Sequence, residues 1–207
     1  MNAVPDRSLI ARVTTSPINY WGSFVTDGLA AATFGWLGAT RYHGSLIVAA
    51  LLVAGGILSW TLVEYLLHRW VLHGWTKAAR EHAKHHRDTH ALIATPLLVI
   101  PLLSVAVFAA IALATSIGDA ALLTFGLYAG YNYFVIVHHM QHFHPEMLAR
   151  SPLWERNLRL HELHHRHPET HFGISCSIWD RAFRSHFLER DQIVVQQPGR
   201  ETKGHEL

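Results

Sequence analysis

The sequence predicts an all-α fold, namely a polytopic membrane helical bundle with a cytosolic helical cap. Three observations support this class: 50% of the 207 residues are hydrophobic, only 15% are charged, and long uncharged stretches recur along the chain. An apolar stretch of about 20 residues is long enough to cross a bilayer as a helix. The single cysteine, Cys176, excludes an internal disulfide framework and a cysteine-based metal site.

Four apolar stretches define the expected spans, at about residues 22–40, 45–67, 92–116 and 119–138. The first stretch is the weakest because it contains Asp27 and several glycines. The sequence is therefore compatible with either three or four membrane spans. If all four cross, they form two hairpins, one turning near Arg41 and the other at Gly118 and Asp119, which favour a turn.

The charge distribution predicts which side of the membrane each segment occupies. Only one of the 17 Lys and Arg residues lies in the two predicted turns, so the positive-inside rule places the cytoplasm on the opposite side. We expect the segment 1–20, the cap (68–91 and 139–190) and the polar tail 191–207 there. Bundle and cap form one domain, residues 21–190. The net charge is only +2 and the basic residues are scattered, which does not indicate nucleic-acid binding.

Histidine is the unusual residue, at 18 positions. Ten of the histidines form four clusters near the cytoplasmic ends of the predicted helices: His68 and His73; His82, His85 and His86; His138 and His142; His161, His164 and His165. Residues at i, i+3 and i+4 share one side of a helix, so each triplet is expected to aim three imidazoles at one point. His68 and His73 lie about 140° apart on an ideal helix. They share a target only if the helix ends or loosens near Gly74.

Ten crowded imidazoles predict a metal centre. Protonated rings would repel one another and neutral rings would gain little by packing, whereas neutral imidazole is a metal ligand. Ten ligands exceed the need of one ion, so we expect two ions with about five histidines each. Imidazole suits zinc, copper, iron and nickel alike. Iron fits best if the substrate is an unactivated C–H bond of a lipid, because zinc is redox-inert.

The four clusters, followed by "FGISCSIWDRAF", resemble the fatty acid hydroxylase superfamily, also called the sterol desaturase family. The resemblance extends from about Leu46 to Phe183 and is nearest to the fatty acid 2-hydroxylases. It implies an integral-membrane oxygenase with two iron ions between cap and bundle, for which zinc could substitute in a purified sample. It also implies that the ten clustered histidines are the metal ligands, with no catalytic side chain beyond the metal centre. One departure is Arg184, which stands where the family often has glycine.

Seven further residues are candidates for hydrogen bonding to a ligand or for replacing one: Glu64, His90, His139, His144, His167, His171 and Asp180. Metal-bound histidines usually donate their second ring N–H to such a partner. The register within the third cluster stays open, so His139 or His144 could replace a named ligand. Asp180 matches the trailing signature of the family and could orient a ligand histidine.

The expected function is O₂-dependent hydroxylation of a C–H bond in a lipid acyl chain. The electrons would come from a separate donor, a ferredoxin or a small cytochrome with its reductase. The alternatives are a desaturase, because both reactions begin with the same hydrogen abstraction, and a hydroxylase of a sterol or carotenoid. A histidine-rich metal transporter is less favoured, because the predicted spans contain almost no ionisable groups.

Overall fold

The computed structural model describes residues 9–186, and within them the chain is helical with no strand. The helices in chain order are α1 (Leu9–Thr14), α2 (Pro17–Arg41), α3 (Leu46–Leu66) with a π-helical turn (Leu67–Leu72), α4 (Lys77–Arg87), α5 (Val99–Ala112), α6 (Ile117–Phe143), α7 (Pro145–Leu148), α8 (Pro152–Arg166) and α9 (Ile178–Ala182). The predicted all-α class is confirmed. The polar tail expected at residues 191–207 lies outside the described residues.

Helix α6 is the centre of the bundle and packs against α2, α3 and α5. Its contact with α3 is closest at two glycines. A Cβ atom on Gly56 would lie 2.6 Å from the Leu127 backbone nitrogen, and one on Gly126 would overlap the Val53 carbonyl oxygen. Small residues of this kind let two helix backbones touch. The glycine contact therefore fixes how the ends of α3 and α6 sit beside each other.

Two helical stretches are long and apolar enough to cross a membrane, Leu46–Leu72 and Ile117–Phe143. Their mean hydropathies are 2.4 and 1.5. Only 6% of the most apolar window of the first stretch is buried inside the protein, so its large aliphatic side chains face outward. An exposed apolar surface along a helix of this length is typical of a helix that crosses a membrane. The chain has the architecture of a helical membrane protein.

Helix α2 carries a buried carboxylate, Asp27, which is the residue that weakened the prediction of a first span. The structure pairs it with α6: the Tyr128 hydroxyl donates to Oδ1 at 2.8 Å and the Tyr131 hydroxyl donates to Oδ2 at 3.1 Å. An ionisable group buried among helices needs such partners. These two bonds hold α2 against α6.

Helix α5 is shorter than the expected third span because it begins only at Val99. The residues before it are non-helical, in keeping with Pro96, since proline disfavours helical backbone in the residue that precedes it. The Asn19 side chain holds this stretch by donating to the Thr95 carbonyl and accepting from the Leu97 amide. With 14 residues, α5 is about 21 Å long and shorter than the hydrocarbon core of a bilayer.

Helices α4, α7, α8 and α9 form a cap over the end of the bundle where α3 and α6 finish. Two side-chain hydrogen bonds dock its last part on α3. The Trp179 indole donates to the Thr61 hydroxyl at 2.9 Å, and the hydroxyls of Tyr65 and Ser185 are 2.8 Å apart. The cap and the bundle thus enclose one region, in which the histidine clusters lie.

Candidate metal centre

The π-helical turn at the end of α3 explains how His68 and His73, which are five residues apart, can point to the same site. The His73 amide donates to the His68 carbonyl at 3.1 Å, a hydrogen bond between residues five apart. This pattern is rare and occurs frequently at functional sites. It places the two rings on one side of the helix, with centroids 5.0 Å apart. The loosening expected at Gly74 therefore occurs one turn earlier, as a change of helix type.

The ten predicted ligands converge in two sets, which we call the first and the second imidazole group. The first imidazole group contains His68, His73, His82, His86 and His164; the second imidazole group contains His85, His138, His142, His161 and His165. Within each group one nitrogen per ring lies within 4.8 Å of all the others. The division into five and five matches the number expected from the sequence.

Each histidine triplet divides between the two groups, which differs from the expectation of a common target. In α4, His82 and His86 belong to the first group and His85 to the second. The reason is helix geometry. From residue i, position i+4 lies about 40° to one side and position i+3 about 60° to the other. A triplet therefore points to two neighbouring sites. In α8 the assignment is reversed, with only His164 in the first group.

Distances in the first group suit ligands of one ion. The Nε2 atom of His82 lies 3.0 Å from that of His68, 3.0 Å from that of His73 and 3.1 Å from that of His86. A single hydrogen on His82 could bridge only one of these contacts. Two nitrogens bound at about 2.1 Å and at right angles are separated by about 3.0 Å. The donor set fits a cation better than a hydrogen-bond network.

The second group has the same short spacings. The Nε2 atoms of His142 and His161 are 2.8 Å apart, and His138–His142 and His161–His165 are each 3.2 Å apart. The Nε2 atom of His85 is buried without a hydrogen-bond partner among the described residues. A buried ring nitrogen in this position lacks the stabilisation that a metal ion would supply. This group also fits a metal.

Burial keeps the cap histidines in the neutral form that binds metals. It lowers the pKa of His73 to about 4 and the pKa values of His85, His164 and His165 to about 3. Neighbouring imidazoles add to the effect by opposing a second positive charge. At neutral pH these rings therefore offer lone pairs rather than N–H⁺ groups.

Two ligands of the first group are oriented by backbone carbonyls that sequence reasoning missed. The Nδ1 atom of His68 lies 2.6 Å from the Phe172 carbonyl oxygen, and Nδ1 of His164 lies 2.6 Å from the Thr170 carbonyl oxygen. Since a carbonyl only accepts, both Nδ1 atoms carry the hydrogen and both Nε2 atoms carry the lone pair. No side-chain motif marks a carbonyl partner, so no sequence signal could have identified these contacts.

The two candidate carboxylates contact neither imidazole group directly. Glu64 accepts the amide hydrogens of Ile174 and Ser175 at 2.7 and 2.8 Å, and its other oxygen contacts the Ser175 hydroxyl. Asp180 accepts the Phe172 amide at 2.8 Å. Both are buried. They hold the backbone of the segment 170–175, which we call the carbonyl segment because it orients the two ligands.

The other five candidate histidines lie outside both imidazole groups: His90, His139, His144, His167 and His171. The Nδ1 atom of His139 lies 2.8 Å from the Tyr20 hydroxyl, on the side of α6 that faces α2. Within the third cluster the structure therefore brings His138 and His142 into a group and leaves His139 outside it. The backbone of His171 has φ 52° and its amide donates to Ser185.

A cavity of about 340 Å³ reaches the second group from outside. Three ligands of that group line it, together with the exposed residues Glu162 and Arg166 and with Thr89 and Gln141. Each group has two buried and three half-buried ligands, so burial itself does not distinguish the two groups.

The model of the fatty acid hydroxylase family matches residues 53–185, which contain all ten clustered histidines. No curated protein sequence matches the chain. The fold is similar to a solved structure described as full-length scs7p with only the hydroxylase domain visible, at 17% sequence identity and a TM-score of 0.66. The match covers 87% of this chain and 70% of that one. The resemblance seen in the sequence is thereby confirmed, and the chain belongs to the fatty acid hydroxylase family.

Proposed function

We propose that this chain is a membrane di-iron oxygenase that hydroxylates a C–H bond of a lipid acyl chain. The observation that carries the proposal is the pair of five-imidazole groups side by side at one end of two membrane-length helices. Membership of the fatty acid hydroxylase family supports a lipid substrate. The solved neighbour, whose described part is a hydroxylase domain, supports hydroxylation over desaturation.

Iron is the ion that we assign to both groups. Nitrogen ligands alone bind zinc or iron, but bound iron can accept electrons and activate dioxygen, which the oxidation of a C–H bond requires. In the proposed reaction one oxygen atom enters the C–H bond and the other leaves as water. Two electrons and two protons are consumed, and we assign their supply to a separate donor, a ferredoxin or a small cytochrome with its reductase.

The protein's own contribution is to position the ligands. The carbonyls of Thr170 and Phe172 fix which nitrogen of two first-group histidines faces inward. Burial under the cap keeps the rings neutral. The position of both groups at the ends of α3 and α6 puts the centre within reach of a lipid chain in the bilayer. No further side chain is needed to form or break the bond.

The orientation of the site is part of the proposal. We place the cap on the cytoplasmic side because the Lys and Arg residues concentrate in and around it, while the turns at the other end contain one arginine. An electron donor in the cytoplasm could then approach the cap directly. Cysteine-accessibility labelling of Cys176→Ser chains with single cysteines placed at Asp88 and at Asp119 tests this sidedness.

The test begins with metal content and oxygen consumption of the full chain purified in detergent. We expect about two irons per chain after anaerobic loading, and oxygen uptake only when a chemical reductant and a fatty acid are both present. His164→Ala should abolish uptake, whereas His43→Ala, which alters an exposed histidine outside both groups, should not. A chain that binds no iron would overturn the proposal.

Mass spectrometry of lipids identifies the reaction. In a host that expresses the chain, hydroxylation raises the mass of the product by about 16 units and desaturation lowers it by about 2. A His164→Ala chain expressed to the same level is the matched control. A product lighter by two units would replace hydroxylase by desaturase in the proposal without changing the metal centre. A modified sterol or carotenoid, with unmodified acyl chains, would replace the substrate class.

A further inference from the structure

The carbonyl segment, residues 170–175, has two hydrogen-bonding sides. Its carbonyl side faces the first imidazole group, where two oxygens accept the Nδ1 hydrogens of ligands. Its amide side faces Asp180 and Glu64. Every amide from Phe172 to Ser175 donates to one of these two carboxylates, at distances of 2.7 to 2.9 Å. The segment therefore transmits the position of two buried carboxylates to the ligands.

Asp180 is connected to His68 through a single peptide group. The peptide between Phe172 and Gly173 accepts from His68 at its oxygen and donates to Asp180 Oδ2 from its nitrogen at 2.9 Å. A Cβ atom on Gly173 would lie 2.8 Å from the same Oδ2 atom, so glycine is needed for this approach. Hydrogen bonds in such a chain polarise and strengthen one another.

Asp180 is also connected to His164, through Ser185. The Thr170 carbonyl accepts from His164, and the amide of the same peptide group, on His171, donates to the Ser185 carbonyl at 2.9 Å. The Ser185 hydroxyl in turn donates to Asp180 Oδ1 at 2.8 Å. One carboxylate thus supports both oriented ligands.

The second group has no counterpart to this connection. The Nδ1 atoms of His161 and His165 are buried without a hydrogen-bond partner in the part of the chain that the structure describes, as is Nδ1 of His86 in the first group. Neither ring is held by a backbone carbonyl, so its tautomer is not fixed in the same way. The two groups therefore differ in how their ligands are oriented, although their nitrogens converge at similar distances.

We propose that Asp180 is a positioning residue for one of the two metal ions. It fixes the tautomer and orientation of His68 and His164 through the carbonyl segment, and it thereby sets the metal affinity of the first imidazole group alone. This inference depends on the proposed two-metal centre, but it adds an asymmetry that the function does not require. Loss of an outer partner of a metal-bound histidine lowers affinity by about 10–100-fold.

The test measures Zn²⁺ affinity of the full chain in detergent, by competition with a chromogenic chelator, in two backgrounds. His161→Ala with His165→Ala disables the second group and leaves the first, whereas His82→Ala with His86→Ala does the reverse. Asp180→Asn has nearly the shape of the original, but its NH₂ group cannot accept a hydrogen bond, so at least one connection is lost. Asp88→Asn, at an exposed carboxylate in the same cap, is the matched control.

We expect Asp180→Asn to weaken zinc binding by about 10–100-fold in the chain that retains the first group. In the chain that retains the second group, Asp180→Asn should change zinc binding by less than about twofold. The control Asp88→Asn should change zinc binding by less than about twofold in both backgrounds. Equal weakening in both backgrounds would show a general structural role and overturn the inference. So would no weakening in either.

A second variant keeps the test decisive if Asp180→Asn does not fold. Ser185→Ala removes the hydroxyl that donates to Asp180 on the His164 branch, together with its contact to the Tyr65 hydroxyl. It should weaken zinc binding by the first group alone, and unchanged binding there would overturn the inference. A parent chain that binds no zinc and no iron would instead contradict the proposed function. A parent chain that binds two ions without the Asp180 asymmetry would contradict only this inference.

Discussion

The first and second imidazole groups contain the same number of histidines but take them from different helices. The end of α3 supplies two ligands to the first group, and α6 supplies two to the second. Helices α4 and α8 each supply ligands to both groups. Helix α4 gives two histidines to the first group and one to the second, whereas α8 gives one to the first and two to the second. The comparison teaches that a histidine triplet with i, i+3, i+4 spacing indicates a pair of neighbouring sites when two such helices face each other.

The two groups also differ in their surroundings. The first is tied to the carbonyl segment and through it to two buried carboxylates. The second has no ligand held by a backbone carbonyl among the described residues, and two of its Nδ1 atoms are buried without a partner, compared with one in the first. Ligands whose rings are held by hydrogen bonds favour retention of an ion. We therefore expect ions bound in the two groups to behave differently, and the experiments below test that difference.

Removal of one central ligand from each group should give the largest effects. His82→Ala removes the ring whose Nε2 contacts three others in the first group, and His161→Ala removes one that contacts two in the second. Each variant should bind about one iron instead of two and lose more than about 100-fold in turnover, beyond the effect of an outer partner. Iron analysis and oxygen uptake measure both quantities. Loss of both irons from either variant would show that the groups bind metal as one unit.

A glycine substitution in the contact between α3 and α6 should change how the groups sit beside each other. Gly56→Ala places a methyl group 2.6 Å from the Leu127 nitrogen, and overpacking of this kind costs about 1–3 kcal/mol. Its neighbour is the control, because a methyl group on Gly55 meets Leu123 at 3.8 Å, an ordinary contact. Gly55→Ala should be neutral or stabilising by up to about 1 kcal/mol. Thermal unfolding in detergent would compare them, and equal melting temperatures would contradict the close packing.

Chelation should release the two irons at different rates. The ion in the second group should leave first, because backbone carbonyls hold the rings of His68 and His164 in the first group. We expect two phases that differ by about tenfold, in line with the effect of fixing ligands by outer partners. Absorbance of a ferrous chelator in a stopped-flow instrument follows the release. Repeating the measurement on His161→Ala assigns the phases, since the fast one should disappear; disappearance of the slow phase instead would reverse the assignment.

The smallest effect is expected for His139→Ala, which tests the register of the third cluster. His139 lies next to a second-group ligand in sequence, but its ring contacts Tyr20. Two irons should remain bound, with turnover within about twofold of the original. The lost hydrogen bond should cost about 0.5–1.5 kcal/mol of stability. Iron analysis measures the result, and His138→Ala, which should lose one ion, is the comparison. Loss of iron from His139→Ala would instead assign His139 to the second group.

Much of the site could be predicted from the sequence because helical spacing and residue type carry the information. The apolar stretches predicted the helices around Leu46–Leu72 and Ile117–Phe143, and the histidine clusters predicted which ten rings come together. That these rings bind iron, and that the cap faces the cytoplasm, stay predictions. The spacing alone did not show how each triplet divides, because this depends on where α4 and α8 face each other.

Other features depend on the backbone and have no sequence signal of their own. The carbonyls of Thr170 and Phe172 would be the same with any side chain. Arg184, where the family often has glycine, adopts φ 56°, a left-handed conformation that favours glycine. The departure in sequence therefore keeps the turn and places an arginine in a strained position. The late start of α5 agrees with Pro96, which the prediction of a span over 92–116 did not take into account.

The π-helical turn at Leu67–Leu72 makes the number of residues between His68 and His73, rather than the identity of those residues, the constrained property. Deleting one residue between His68 and His73 would restore ordinary α-helical winding but would rotate everything after it by about 100° relative to α3. Exchanges of Val71 or Leu72 for other apolar residues leave the count unchanged. Natural relatives should therefore keep both histidines and vary in composition between them, while showing neither insertions nor deletions there.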